Sequence, residues 1–146
     1  MSSSGNAVPS GEYPAFYTLL THQETNISPH HTLVFDTVRT DTHKEYSNYT
    51  GAYTVPVAGV YVISWSVRSS GGHSFELVCN GQVLDSGFND GNSQKTTGKT
   101  YLGHFKKKGG HFKVKDVIFV RTHNSYVGSG YILSNTHGYS TFLGYK

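Results

Sequence analysis

The sequence predicts an all-β fold, and three observations point to it. On an extended strand through residues 57–67 (VAGVYVISWSV), Tyr61, Ile63, Trp65 and Val67 fall on one face and Val60, Val62, Ser64 and Ser66 on the other. Charged residues make up only 14% of the 146, while 17 glycines, 11 tyrosines and many Ser, Thr and Asn supply what short strands and tight turns need. No window of useful length carries apolar residues at helical spacing, so little helix is expected. The 57–67 stretch holds the only Trp and reads as the central strand, with Pro56 and Gly59 at its start because neither suits a strand interior.

From the N-terminus, residues 1–12 are polar and read as a flexible segment, and residues 13–146 as one globular domain, long enough to bury a core without disulfide or metal staples. Residues 15–21 (AFYTLLT) form a first strand. A loop through Asn26, Ser28, Pro29, His30 and His31 leads to a short apolar segment at 33–35, and 36–49 is polar with Tyr46 as its anchor. Thr50-Gly51 turns the chain into 52–55, and the central strand follows. Residues 75–79 alternate again, which makes Cys79 a buried structural thiol, and Asn80-Gly81 is a strong hairpin signal that returns the chain through 82–84. The stretch 86–98, rich in Gly, Asn, Asp and Ser, reads as a long exposed loop. Residues 100–105 and 112–121 read as strands around a Lys-Gly turn, and 131–133 and 140–145 as the closing strands.

Composition and motifs argue against several functions. The net charge of +3 is modest and the only basic run is Lys106-Lys107-Lys108, which speaks against nucleic acid as a partner. No apolar stretch reaches membrane-spanning length, and no hydrophobic secretory segment opens the sequence, so either a cytosolic protein or a mature fragment behind an added Met is expected. A single cysteine does not choose the compartment. Neither an activated nucleophile with its base nor a Gly-rich phosphate cradle is found, so an enzyme is not expected. The nine histidines, if exposed, would raise the net charge steeply between about pH 7 and 5.5. His30 and His31, as neighbours on an extended chain, point to opposite faces and do not converge on one ion. The same holds for His104, His111, His123 and His137, unless an assembly brings three copies of one histidine to a shared axis.

Pro14-Ala15-Phe16, Val34-Phe35-Asp36 and Thr50-Gly51-Ala52-Tyr53-Thr54-Val55-Pro56 are followed by Gly59-Val60-Tyr61 through Ser64-Trp65, Asn80-Gly81, Asp116-Val117 and the ending Ser140-Thr141-Phe142-Leu143-Gly144-Tyr145. In that order and spacing they resemble the globular head domain of complement C1q, over nearly everything after residue 12. Phe119-Val120-Arg121-Thr122-His123 resembles the secreted C1q-domain proteins of invertebrates, molluscs especially. The resemblance implies a ten-stranded jelly roll of two antiparallel sheets, C1q/TNF-like, that assembles as a homotrimer. It implies Tyr17, Tyr61 and Tyr145 as candidates for the face buried between protomers, the alternative being that they fill their own core or decorate the surface. Two departures stand out: Lys115 precedes Asp116 where the family commonly has Gly, and 97–115 is longer than usual. No Gly-X-Y stalk precedes the domain here, so recruitment of complement proteases is not inferred.

Many C1q heads are similar in holding calcium near the top of the trimer. Here Asp85 and Asp90, with Asn89 and Asn92 as neutral oxygen donors, are the candidate ligands, against the alternative that they only form turns. The family further implies recognition of microbial carbohydrate, lipopolysaccharide or other charged surfaces. Lys106, Lys107 and Lys108, with His111, Lys113 and Lys115 nearby, offer positive potential that threefold repetition would multiply, the alternative being a solvated turn. Tyr126, Tyr131 and Asn135 can stack on and hydrogen-bond to a sugar. The expected function is a secreted, non-enzymatic pattern-recognition trimer of innate immunity, and the alternative is a cytokine-like or structural extracellular trimer that binds a protein receptor. Asn48-Tyr49-Thr50 fits an N-glycosylation acceptor, as does Asn26-Ile27-Ser28 less well with Pro29 following, which leans toward secretion if they are used.

Overall fold

Ile63, Trp65 and Val67 are fully enclosed while Val62, Ser64, Ser66 and Arg68 between them stay partly open, because a bulky apolar side chain at every second residue fits one face of a pleated strand. The computed structural model describes residues 13–25, 27–89, 99–106, 112–123 and 131–146, with backbone alone for 89 and 99–106. Among these residues there are ten strands and no helix. They are β1 (Ala15–Leu19), β2 (Thr37–Asp41), β3 (Tyr53–Thr54), β4 (Val62–Ser69), β5 (His73–Cys79), β6 (Gln82–Asn89), β7 (Lys99–Lys106), β8 (Val117–Thr122), β9 (Ile132–Leu133) and β10 (Thr141–Tyr145).

The strands form two antiparallel sheets. In the larger, β4 is central: β7 lines one edge along its whole length, from Val62↔Lys106 to Ser69↔Lys99. The other edge is shared end to end by β10 and β9, with β1 and then β2 continuing beyond β10. The smaller sheet runs β3-β8-β5-β6. Their inward side chains meet in one core. Phe16 of β1 stacks on Tyr53 of β3 at 4.0 Å between ring centres, and Phe142 of β10 meets Phe16 edge-on at 5.0 Å. Gly144 leaves room for this packing, since a Cβ there would stand 2.7 Å from both Ile63 and Phe16.

Asn80 and Gly81 both have positive φ, 51° and 84°, as the two-residue hairpin between β5 and β6 requires. Tyr46 is the anchor expected of it: its hydroxyl donates to the Phe35 carbonyl at 3.0 Å and accepts from the Phe35 amide at 2.9 Å, and burial pushes its pKa well up.

Three expectations are corrected, and one strand is added where none was marked. The central strand begins at Val62, because Gly59 pairs its backbone with Phe112 instead and the chain only then joins β10 and β7. Within the polar 36–49 stretch lies β2, a strand exposed on both faces that is held by its ladder to β1. The stretch expected as loop from 86 onward stays in β6 to Asn89, since pairing with β5 continues to His73↔Asn89; residues 90–98 lie outside the described residues, as does the 1–12 segment. Residues 112–116, expected as strand, form a turn in which Lys115 takes a φ of 76° and the Asp116 amide donates to the Lys113 carbonyl.

Candidate binding site

Side chains of β1, β10 and β4 that do not enter the core share the outer face of the larger sheet. Strand register sets Tyr17, Leu143 and Ser64 side by side, and Ala15, Tyr145 and Val62 in the adjoining row. Tyr17 is 38% and Tyr145 50% exposed, and Leu143 and Val62 between them are partly open. An aromatic and apolar sheet face left in water is the kind of surface that protein–protein contact covers. Tyr61 is not part of it. It shares the phase of Ile63 and Trp65, so it points between the sheets, where it is fully buried and meets Phe112 edge-on at 5.8 Å. Burial raises its pKa, and its hydroxyl donates to the Val57 carbonyl at 2.6 Å. The expectation of Tyr61 at a protomer interface is therefore corrected, while Tyr17 and Tyr145 lie on one open face.

The residues expected to contact ligand divide between two ends of the sandwich. At the end where β4 finishes, Arg68 and Ser69 pair with Leu133 and Ile132. Ser70 donates its amide to the Tyr131 carbonyl at 2.9 Å and its Oγ accepts the Tyr131 amide at 3.1 Å. Asn135 Oδ1 accepts from Arg68 Nη1 at 3.3 Å and from the His137 amide at 2.9 Å, and Arg68 Nη1 also donates to the Gly138 carbonyl at 2.6 Å. Arg68 thus fixes the 135–138 turn, and both Tyr131 and Asn135 are exposed beside it. Sequence reading missed Arg68, although its outward phase after Ser64 and Ser66 was visible.

Lys113 and Lys115 stand at the other end, both exposed, next to the Gly59–Phe112 backbone pair. Lys106 is paired there with Val62, at the start of β4. Lys146, whose amide donates to the Pro14 carbonyl at 3.0 Å, crosses Gly59 at this end too. The length of β4, about 23 Å, separates the two ends. Lys113 and Asn135 therefore do not converge within one protomer. Lys107, Lys108, His111 and Tyr126 lie outside the described residues.

Asp85 is within β6, opposite Leu77, and not in the loop expected for a calcium ligand. The other three candidate donors give no described side chains: Asp90 and Asn92 lie outside the described residues, and Asn89 has backbone alone. Among the described residues no three His, Cys, Asp or Glu side chains gather as metal ligands.

A strap carrying Glu24 and residues 27–32, expected only as a loop, crosses from one sheet to the other. Glu24 exchanges backbone hydrogen bonds with Ile132 of β9, and the His31 carbonyl accepts the Thr122 amide of β8. Thr122 Oγ1 accepts the His31 amide at 2.8 Å and donates to the Ser28 carbonyl at 2.7 Å. His31 Nε2 lies 2.6 Å from Glu24 Oε1, a hydrogen bond that raises the pKa of His31. Beside the strap, buried Glu76 accepts from Arg121 Nε at 3.0 Å on the neighbouring strand and lies 3.7 Å from His123 Nε2.

A family model described as the C1q domain matches residues 15–145. The chain belongs to the C1q domain family. Among solved structures, this C1q domain is similar to the globular domain of zebrafish complement 1qA protein, with a TM-score of 0.69 at 19% identity, over 90% of this chain and 94% of that one. Murine APRIL gives a TM-score of 0.64 at 12% identity, over 92% and 98%. Eiger TNF from S. frugiperda gives 0.57 at 14%, over 91% and 90%. At these identities the likeness is one of fold, and the two-sheet all-β arrangement is the C1q/TNF jelly roll that the sequence predicts.

Proposed function

We propose that this C1q domain is a secreted, non-enzymatic recognition protein that works as a homotrimer, with the outer face of its larger sheet buried between protomers. The face shared by Tyr17, Leu143 and Tyr145 carries this reading, because it sets aromatic and apolar side chains in water with no partner in their own protomer's core. Covering it stabilises assembly by about 25 cal/mol per Å² of apolar surface removed from water. Three protomers on one axis repeat each end of the sandwich three times and so multiply weak contacts. Tyr131, held by Ser70, and Asn135, held by Arg68, form the end suited to a sugar, and exposed Lys113 and Lys115 form the end suited to phosphate or carboxylate. Microbial carbohydrate and lipopolysaccharide offer both chemistries.

Light scattering at neutral pH, with calcium and then with chelator, followed by glycan-array and lipopolysaccharide binding, tests this. A trimer that binds is expected. A monomer in both conditions overturns the assembly, and mass lost only in chelator assigns calcium a part in holding it. A trimer silent on both ligand classes moves the reading to a cytokine-like protein that binds a receptor.

A further inference from the structure

We infer that Asn48 is an N-glycan acceptor of this chain and that Asn26 is not, an inference that rests on the secreted reading above. Both residues open an Asn-X-Ser/Thr sequence, Asn48-Tyr49-Thr50 and Asn26-Ile27-Ser28; Asn26 lies outside the described residues, but the two residues that follow it are held differently from Tyr49 and Thr50. Asn48, Tyr49 and Thr50 form an outward turn between β2 and β3, with Tyr49 89% exposed at its tip. The turn is closed mainly by Ser47, the acceptor sequence adding one long contact in which Thr50 Oγ1 accepts the Ala52 amide at 3.4 Å. The Gly51 amide donates to the Ser47 carbonyl at 2.8 Å, and Ser47 Oγ accepts the amides of Tyr49 and Thr50 at 3.2 and 3.1 Å.

Asn48 Nδ2 makes a single long bond, 3.4 Å, to the Asp36 carbonyl. The amide nitrogen carries two hydrogens and glycosylation replaces one, so the nitrogen keeps a donor, and at most this one long bond is lost from the turn. In the transfer, Asn48 Nδ2 bonds to C1 of the first sugar of a polyprenyl-diphosphate-linked oligosaccharide. The bond from C1 to the diphosphate oxygen breaks, the amide proton passes to a base of the transferase, and the lipid diphosphate leaves as the anion.

Placement favours the modification as well. β2 and β3 are terminal strands of their two sheets, so the turn joining them sits on the flank of the sandwich and clear of the outer face that carries Tyr17 and Leu143. A bulky glycan there leaves that face free. The second sequence is set against transfer. Pro29 after Ser28 restricts Ser28 to extended backbone, Ile27 packs against the core, and the Ser28 carbonyl is taken by Thr122 Oγ1.

The test is to express the full chain behind a secretory leader in insect cells and treat the secreted protein with a glycan-releasing amidase. The amidase converts a glycosylated Asn to Asp, which peptide mass spectrometry locates. Wild type is expected to carry one glycan, at Asn48. Asn48→Gln and Thr50→Ala should lose it, while Thr50→Ser and Asn26→Gln should keep it. Secreted wild type with no glycan, or with any at Asn26, overturns the inference. Light scattering of the same material separates this result from the assembly: a glycosylated monomer overturns the trimer and leaves the acceptor standing, and an unmodified trimer does the reverse.

Discussion

His31 and Glu24 are joined side chain to side chain across the strap, Nε2 to Oε1 at 2.6 Å, and through their backbones they tie β8 of one sheet to β9 of the other. The Glu24 hydrogen bond raises His31 above its ordinary 6.5, against the opposing effect of partial burial. A histidine whose folded pKa is raised contributes stability that is fully present below 6.5 and fades as the pH climbs through the folded value. Glu24→Gln should therefore lower the melting temperature more at about pH 6 than at a pH above the raised folded value, where His31 is neutral in either state. An equal loss at both pH values would show that the pair is held by its neutral hydrogen bond alone.

Lys115 occupies, at φ 76°, a backbone conformation that costs an L residue about 1–2 kcal/mol. Glycine avoids that cost but gains freedom in the unfolded chain, about 0.4–1 kcal/mol in the other direction. The amide of residue 115, which donates to the Val55 carbonyl at 2.8 Å, is kept in either case. Lys115→Gly should raise stability by up to about 1.6 kcal/mol, read as a higher denaturant midpoint at unchanged slope. A lower midpoint would mean that the exposed lysine makes a compensating contact.

That lysine was conspicuous in the sequence, and it shows what a sequence can reveal. Where a side chain's phase or a turn's chemistry decides the structure, the residues said so: Ile63, Trp65 and Val67 enclosed, Asn80-Gly81 at positive φ. Where the ladder decides it, they were silent. β2 has no apolar face to alternate, and it is a strand only because β1 supplies hydrogen bonds. Ser86 and Gly87 have turn composition yet continue a strand begun by Gln82, for the same reason. Nothing in the spacing of Lys113 and Asn135 along the sequence shows that they fall at opposite ends of the sandwich. The pairing of Glu76 with Arg121, 45 residues apart, has no local signature either.

Leu143 lies between Tyr17 and Ser64 on the outer face, so a carboxylate there would be buried without a partner once protomers pack. An unpaired buried charge costs on the order of 3–5 kcal/mol. Leu143→Glu should scatter light as a monomer while keeping the emission of enclosed Trp65. A trimer of unchanged mass would place the interface elsewhere.

Asn135 and Lys113 lie at separate ends, so if both bind ligand as proposed their substitutions should not interact. Asn135→Ala should weaken sugar binding and leave phosphate binding unchanged, and Lys113→Glu should do the opposite. On lipopolysaccharide, which presents both groups, the double variant's loss should equal the sum of the single losses to within about 0.5 kcal/mol. A coupling larger than that would mean one ligand spans both ends.

The Lys146 amide donates to the Pro14 carbonyl at 3.0 Å, and β10 lies antiparallel to β1 from Thr141↔Leu19 to Tyr145↔Ala15. A short peptide joining residue 146 to residue 13 would turn those two strands into an ordinary hairpin. New ends can then be opened at Gly81, where a side chain's Cβ would meet nothing within 4 Å. The jelly roll is thus closed on itself in space, and the order in which its strands are synthesised is one of several that should give the same sandwich.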